Sequence, residues 1–98
     1  MDDRKRLQES WARTTAHLRR AARLLPEVPA PSEDGRVEQF REYLEHNELE
    51  LALDALEALG ECNPVPSEFW GHLREAAAEM RLEKHVARLA ERSGRTPG

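Results

Sequence analysis

The segment LELALDALEALG, residues 49–60, limits what this chain can fold into more than any other part of it. Leu49, Ala52, Leu53, Leu56 and Leu59 recur at the three- and four-residue spacing of one helix face, and Leu51, Ala55 and Ala58 widen that face. A helix apolar over so wide an arc has to be covered from more than one side, so the pattern predicts a helix over 48–59 at the centre of a bundle. Asn47, with Glu50 three residues on, matches a capping box in which Asn replaces Ser or Thr. Gly60 offers the left-handed residue that ends many helices.

The remaining residues must supply the cover, and they read as helices too. Leu, Ala, Glu and Arg dominate and β-branched residues are scarce; 39% hydrophobic and 35% charged residues suit a globular chain rather than a disordered one. With 98 residues the chain has room for a single modest core. Leu7, Trp11, Thr14, Leu18, Ala21 and Leu25 form one stripe on a helix over 3–25. PEVPAPSED follows, with three prolines in six residues, and reads as an extended linker. A second helix over 36–45 carries Val37, Phe40 and Leu44, with Tyr43 beside them. Beyond the Pro-containing turn ECNPVPSEF, Ser67 caps a fourth helix over 68–81 with Phe69, Leu73, Ala76, Ala77 and Met80 inward and Trp70 one step off the stripe. A fifth helix, or a continuation past a kink near Arg81 and Leu82, carries Leu82, Val86 and Leu89. The expected fold class is all-α: a small bundle of four to five helices, its basic N-terminal helix (1–25) joined by a Pro-rich linker (26–35) to a helical core (36–93), with a tail at 94–98.

Charge is distributed unevenly behind a net value of −4. Residues 1–25 balance at +4 and residues 33–61 at −8, and from Glu42 to Glu61 there is no Lys or Arg. Glu50, Asp54, Glu57 and Glu61 share one face of the third helix, and Glu38, Glu42 and Glu45 share one face of the second. A short turn at His46 and Asn47 makes these helices antiparallel neighbours, so the two stripes are expected to merge into a single negative docking surface. Solvation of ordinary helix faces is the plain alternative. Against it stands the lack of local compensation, since like charges four residues apart cost a few tenths of a kcal/mol each. On this reading Glu38, Glu42, Glu45, Glu50, Asp54 and Glu57 steer and pair with a basic partner, with Tyr43 or Trp70 as apolar anchor. Core packing is the competing role for Trp70. The basic first helix is expected to fold back on the acidic segment, within the molecule or across a homodimer, with Trp11 as core or dimer contact.

FREYLEHNELELALDALEALGE followed by PSEFWGHLREAAAEMRL resembles the MafI-type immunity proteins of bacterial polymorphic toxin systems. The likeness lies in an acidic helix, the turn in LEHNELELAL, an Ala-Leu rhythm, and a closing helix near Met80-Arg81-Leu82, where Arg81 stands in place of a glycine. It covers residues 37–82. The resemblance implies an intracellular antidote that binds and blocks a cognate toxin domain. Such toxins are often nucleases, whose sites are basic because they hold phosphates. The same stretch also resembles half of a tetratricopeptide hairpin, but no second copy follows at the 34-residue period. A non-catalytic adaptor that dimerises or binds a partner helix is the rival expectation.

Other classes find little footing. His17, His46, His72 and His85 lie in no HExxH motif, and Cys62 has no second cysteine, so neither a metal site nor a disulfide is expected. No glycine-rich phosphate loop exists, and no cofactor or enzymatic activity is expected. No recognition-helix motif supports direct nucleic-acid binding, and no apolar run approaches the roughly 20 residues that span a bilayer. MDDRKRLQES lacks the apolar region of a secretory signal, and the lone cysteine suits a reducing compartment, so the expected location is the cytoplasm.

Overall fold

A computed structural model describes the backbone of residues 2–30 and 36–94 and the side chains of residues 4–30 and 36–92. Among the described residues it is all-α, with five helices: α1 (Asp2–Arg23), α2 (Val37–Glu45), α3 (Leu49–Cys62), α4 (Ser67–Glu79) and α5 (Glu83–Gly94). The wide apolar arc of α3 does what its width demands. Leu49, Ala52, Leu53, Ala55, Leu56, Leu59 and Gly60 are all buried, against α2, α4 and α1. Leu51 departs from the expectation: the three neighbours leave that edge of α3 uncovered, and its side chain is 45% exposed.

The first helix is part of the same core. It runs antiparallel to α4, as the contacts Ser10–Glu79 and His17–His72 show, and buries Thr14, Leu18 and Ala21. Thr14 satisfies its buried hydroxyl by donating to the Ser10 carbonyl one turn back, at 2.8 Å. At 22 residues α1 is about 33 Å long, whereas the 13 residues of α4 reach about 20 Å. Since Ser10 already meets the last residue of α4, the residues before it overhang. Leu7, expected inside, is therefore 50% exposed; Trp11, expected as a core or dimer contact, lies level with the end of α4 and is 40% exposed. Nor does the basic helix neutralise the acidic segment through ion pairs. Among the described residues its one ion pair is Arg13 with Glu79 of α4, at 2.7 Å.

Turns differ from the sequence expectation in their chemistry. Asn47 and Arg81 both take a left-handed conformation with φ of 58°, and neither is glycine. In each case two backbone bonds close the preceding helix: Glu48 N to Tyr43 O and Asn47 N to Leu44 O for α2, Leu82 N to Ala77 O and Arg81 N to Ala78 O for α4. Asn47 thus ends α2, and no side-chain cap opens α3. The break at Arg81 separates α4 from α5 outright. Ser67 lies inside α4 and makes no capping bond.

Gly60 is no helix terminator either; α3 runs on to Cys62. What Gly60 supplies is closeness, because a β-carbon there would lie 2.3 Å from Phe69 Cε1 and 2.8 Å from Trp70 Cη2. Asn63 takes over the end of α3: its amide nitrogen donates to the carbonyls of Leu59 and Ala30, and its oxygen accepts from Ala30 N. That ties the start of the Pro-rich segment to α3. The rest of that segment, residues 31–35, and the tail from 95 on lie outside the described residues.

A left-handed L-residue costs roughly 1–2 kcal/mol relative to right-handed backbone, while glycine avoids the clash at some entropic cost. Arg81→Gly is therefore expected to stabilise the protein by about 0.5–1 kcal/mol, read as a higher urea midpoint at unchanged slope.

Candidate protein-binding surface

Two acidic stripes that look alike in the sequence meet different surroundings. On α3, Asp54, Glu57 and Glu61 each find a base on α5: His85 at 2.9 Å from Asp54, Arg88 in a two-bond fork to Glu57 at 2.8 and 2.9 Å, and Arg92 on Glu61. All three pairs have the same sequence offset, so α3 and α5 run parallel and in register. The Glu57 side chain is only 13% exposed. The expectation that Asp54 and Glu57 belong to a free docking surface is corrected by these pairs. They tie α5, which packs against α4, to the edge of α3.

On α2 the outcome is the reverse. Glu38, Glu42 and Glu45 are exposed on the side opposite the buried Phe40, and none of them pairs with a base among the described residues. Glu48 in the turn and Glu50 on the first turn of α3 are likewise exposed and unpaired. The uncompensated acids are thus Glu38, Glu42 and Glu45 on α2, Glu48 in the turn and Glu50 on the first turn of α3, with the exposed Leu51 next in sequence.

The apolar anchors also change places. Trp70 is 9% exposed, set edge-on to Phe69 with ring centroids 5.0 Å apart and covered by the Arg92 guanidinium at 4.7 Å. It is core, so the anchor role weighed for it does not fit. Tyr43 is partly buried against the core and offers only part of its ring. Exposed large apolar side chains are Leu7, Trp11, Val28 and Leu51. The sequence carried a signal for Leu7: a stripe on a 22-residue helix cannot be covered along its full length by a 13-residue neighbour.

Around Glu79 the contacts are structural. Arg13 Nε and the Ser10 hydroxyl donate to its two carboxylate oxygens at 2.7 and 3.0 Å. The Arg13 hydrogen bond, helped by Ser10 and opposed by partial burial, holds the Glu79 carboxyl below the usual carboxylate range. Nearby, His17 and His72 face each other through their Nδ1 atoms at 3.4 Å, so one ring donates and the other accepts. Cys62 is exposed, and no three His, Cys, Asp or Glu side chains converge on a metal-sized site among the described residues. No described helix is long and apolar enough to cross a membrane.

Fold and surface together describe a small helical protein that exposes both charged and apolar patches. Comparison with family models, with curated proteins and with solved structures returned no match for this chain.

Two predictions separate structural from available carboxylates. Glu57→Gln is expected to destabilise the protein by about 1 kcal/mol, while Glu42→Gln changes stability by less than about 0.5 kcal/mol; equilibrium urea unfolding of both variants checks this. For Glu79, the folded pKa lies below the unfolded one, so its contribution is complete above about pH 4.3 and is lost as pH falls through the folded value. Glu79→Gln is accordingly less stable than the parent at pH 7, and the gap closes as pH falls below the folded pKa of Glu79, where both carry a neutral side chain.

Proposed function

We propose that this protein works by binding another protein, as an immunity protein that neutralises a toxin domain with a basic surface, a nuclease by preference. The observation that carries the reading is the α2 face: Glu38, Glu42 and Glu45 stand exposed together and unpaired, while three of the four acids in the stripe on α3 are each matched by a base of α5. Carboxylates left without partners on a folded surface raise the rate of encounter with a cationic site and favour a basic partner over an acidic one. The resemblance of residues 37–82 to MafI-type immunity proteins points to the same kind of partner, and an antidote of this type acts in the cytoplasm. Glu48 and Glu50 extend the surface, and Leu51 gives it an apolar contact.

The exposed Leu7 and Trp11 favour a second reading, an adaptor that docks a partner helix along the overhanging end of α1. The two readings place the contact on different helices. Co-expression with the product of the adjacent gene separates them. For the immunity reading, the Glu38→Lys, Glu42→Lys, Glu45→Lys variant should associate at least about tenfold more slowly at 50 mM salt, with a smaller deficit at 500 mM, and should lose protection. Full protection by that variant, together with loss of binding on Trp11→Ala, would move the contact to α1.

A further inference from the structure

Beside the carboxylate ridge of α2 lies a groove of about 450 Å³ between α1 and α2, lined by Arg19, Ala22, Arg23, Phe40, Arg41, Leu44 and Glu45. Its floor is apolar, formed by Ala22, Phe40 and Leu44, and three guanidinium groups from two different helices stand around it. None of Arg19, Arg23 and Arg41 forms an ion pair among the described residues. Arg19 and Arg23 are one turn apart on α1, a spacing at which like charges repel. On α2, Arg41 occupies the flank between the ridge (Glu38, Glu42, Glu45) and the buried Phe40, with Glu45 at the rim of the groove. A positive groove and a negative ridge therefore run side by side, each unpaired in its own chain.

We propose that this patch is self-complementary and that two copies of the chain pair through it about a two-fold axis, the α2 ridge of each seated in the α1–α2 groove of the other. A two-fold contact uses the same surface on both subunits, so it requires a patch carrying both signs of charge, and this one does. The charges argue for a second copy over a nucleic acid: a polyanion satisfies the three arginines but meets the adjoining ridge of three glutamates with repulsion. Resting on one nine-residue helix and one groove, the contact belongs to the small, transient class that buries under about 1,200 Å². The inference does not depend on a toxin. If the proposed function also holds, the same α2 carboxylates serve both partners, and the dimer and the complex exclude each other.

Sedimentation of the full chain alone, at 50 and 500 mM salt, tests the pairing, with Arg19→Glu, Arg23→Glu as one variant and Glu38→Lys, Glu42→Lys as the other. The parent should self-associate at low salt and dissociate at high salt. Each variant should be monomeric by itself, its ridge and groove now carrying the same sign. Mixed one to one, the two variants should form a heterodimer, because each reversed strip then faces an oppositely charged one. Recovery on mixing also shows that both variants are folded; should a reversal disturb folding, the neutral versions Arg19→Gln, Arg23→Gln and Glu38→Gln, Glu42→Gln should each weaken the dimer at least threefold. A parent that stays monomeric at 50 mM salt and millimolar concentration overturns the proposal. So does a dimer that either variant retains, a mixture that fails to associate, or a monomeric parent that instead binds a short DNA duplex through Arg19 and Arg23.

Discussion

Burial of α3 is the constraint from which the other placements follow. A helix with Leu or Ala on three sides cannot be solvated, so α2 folds back along one flank while α1 and α4 close the others. One close approach is at Gly60, where the absent side chain admits Phe69 and Trp70. Close packing there fixes where α4 lies, and α4 in turn sets the line of α1, which runs antiparallel along it as far as Ser10. The acidic edge of α3 faces α5, which packs on α4 and reaches that edge through ion pairs.

Those pairs explain how a helix with a strongly acidic face sits at the centre of the molecule. Exposed ion pairs are individually weak, about 0.2–1 kcal/mol, so no single one holds α5. Three in register, one of them a two-bond fork on a nearly covered carboxylate, act as a spacing code as much as a source of stability. A slip of α5 by one residue would misalign all three bases at once and carry the fully buried Leu89 off its inward face. Arg92 adds a further link, since it touches Glu61 on one side and the Trp70 ring on the other.

How much of this was legible in the sequence depends on how local the deciding force is. Helix number, helix type and the central place of α3 follow from apolar spacing, which is a local pattern, and they were readable. Helix ends depend on backbone geometry that several residue types can adopt. Asn47 therefore passed for a cap of α3 when it closes α2, and Gly60 passed for a terminator when it is a packing contact. Charge pairing was misread for a different reason. Counting bases within four residues found none near Asp54 and Glu57, yet His85, Arg88 and Arg92 repeat the three-and-four spacing of Asp54, Glu57 and Glu61. Matching spacings on distant helices was a usable signal. The fate of Leu7 and Trp70 turned on relative helix length and on the space at Gly60, which no single-helix pattern contains.

Two groups of unpaired charges are neighbours. After α5 has matched α3 and Arg13 has matched Glu79, the exposed ridge of α2 and the arginines of the α1–α2 groove lie side by side. Solvation alone gives no reason for this sorting, because mixed signs along one helix solubilise as well and repel less. Segregating three carboxylates onto one face of a nine-residue helix raises the local potential and lowers the stability of that helix slightly. A surface arranged at such a cost is better suited to meeting another charged surface than to meeting water. The shape of the patch, a ridge beside a groove, determines which surfaces can fit it.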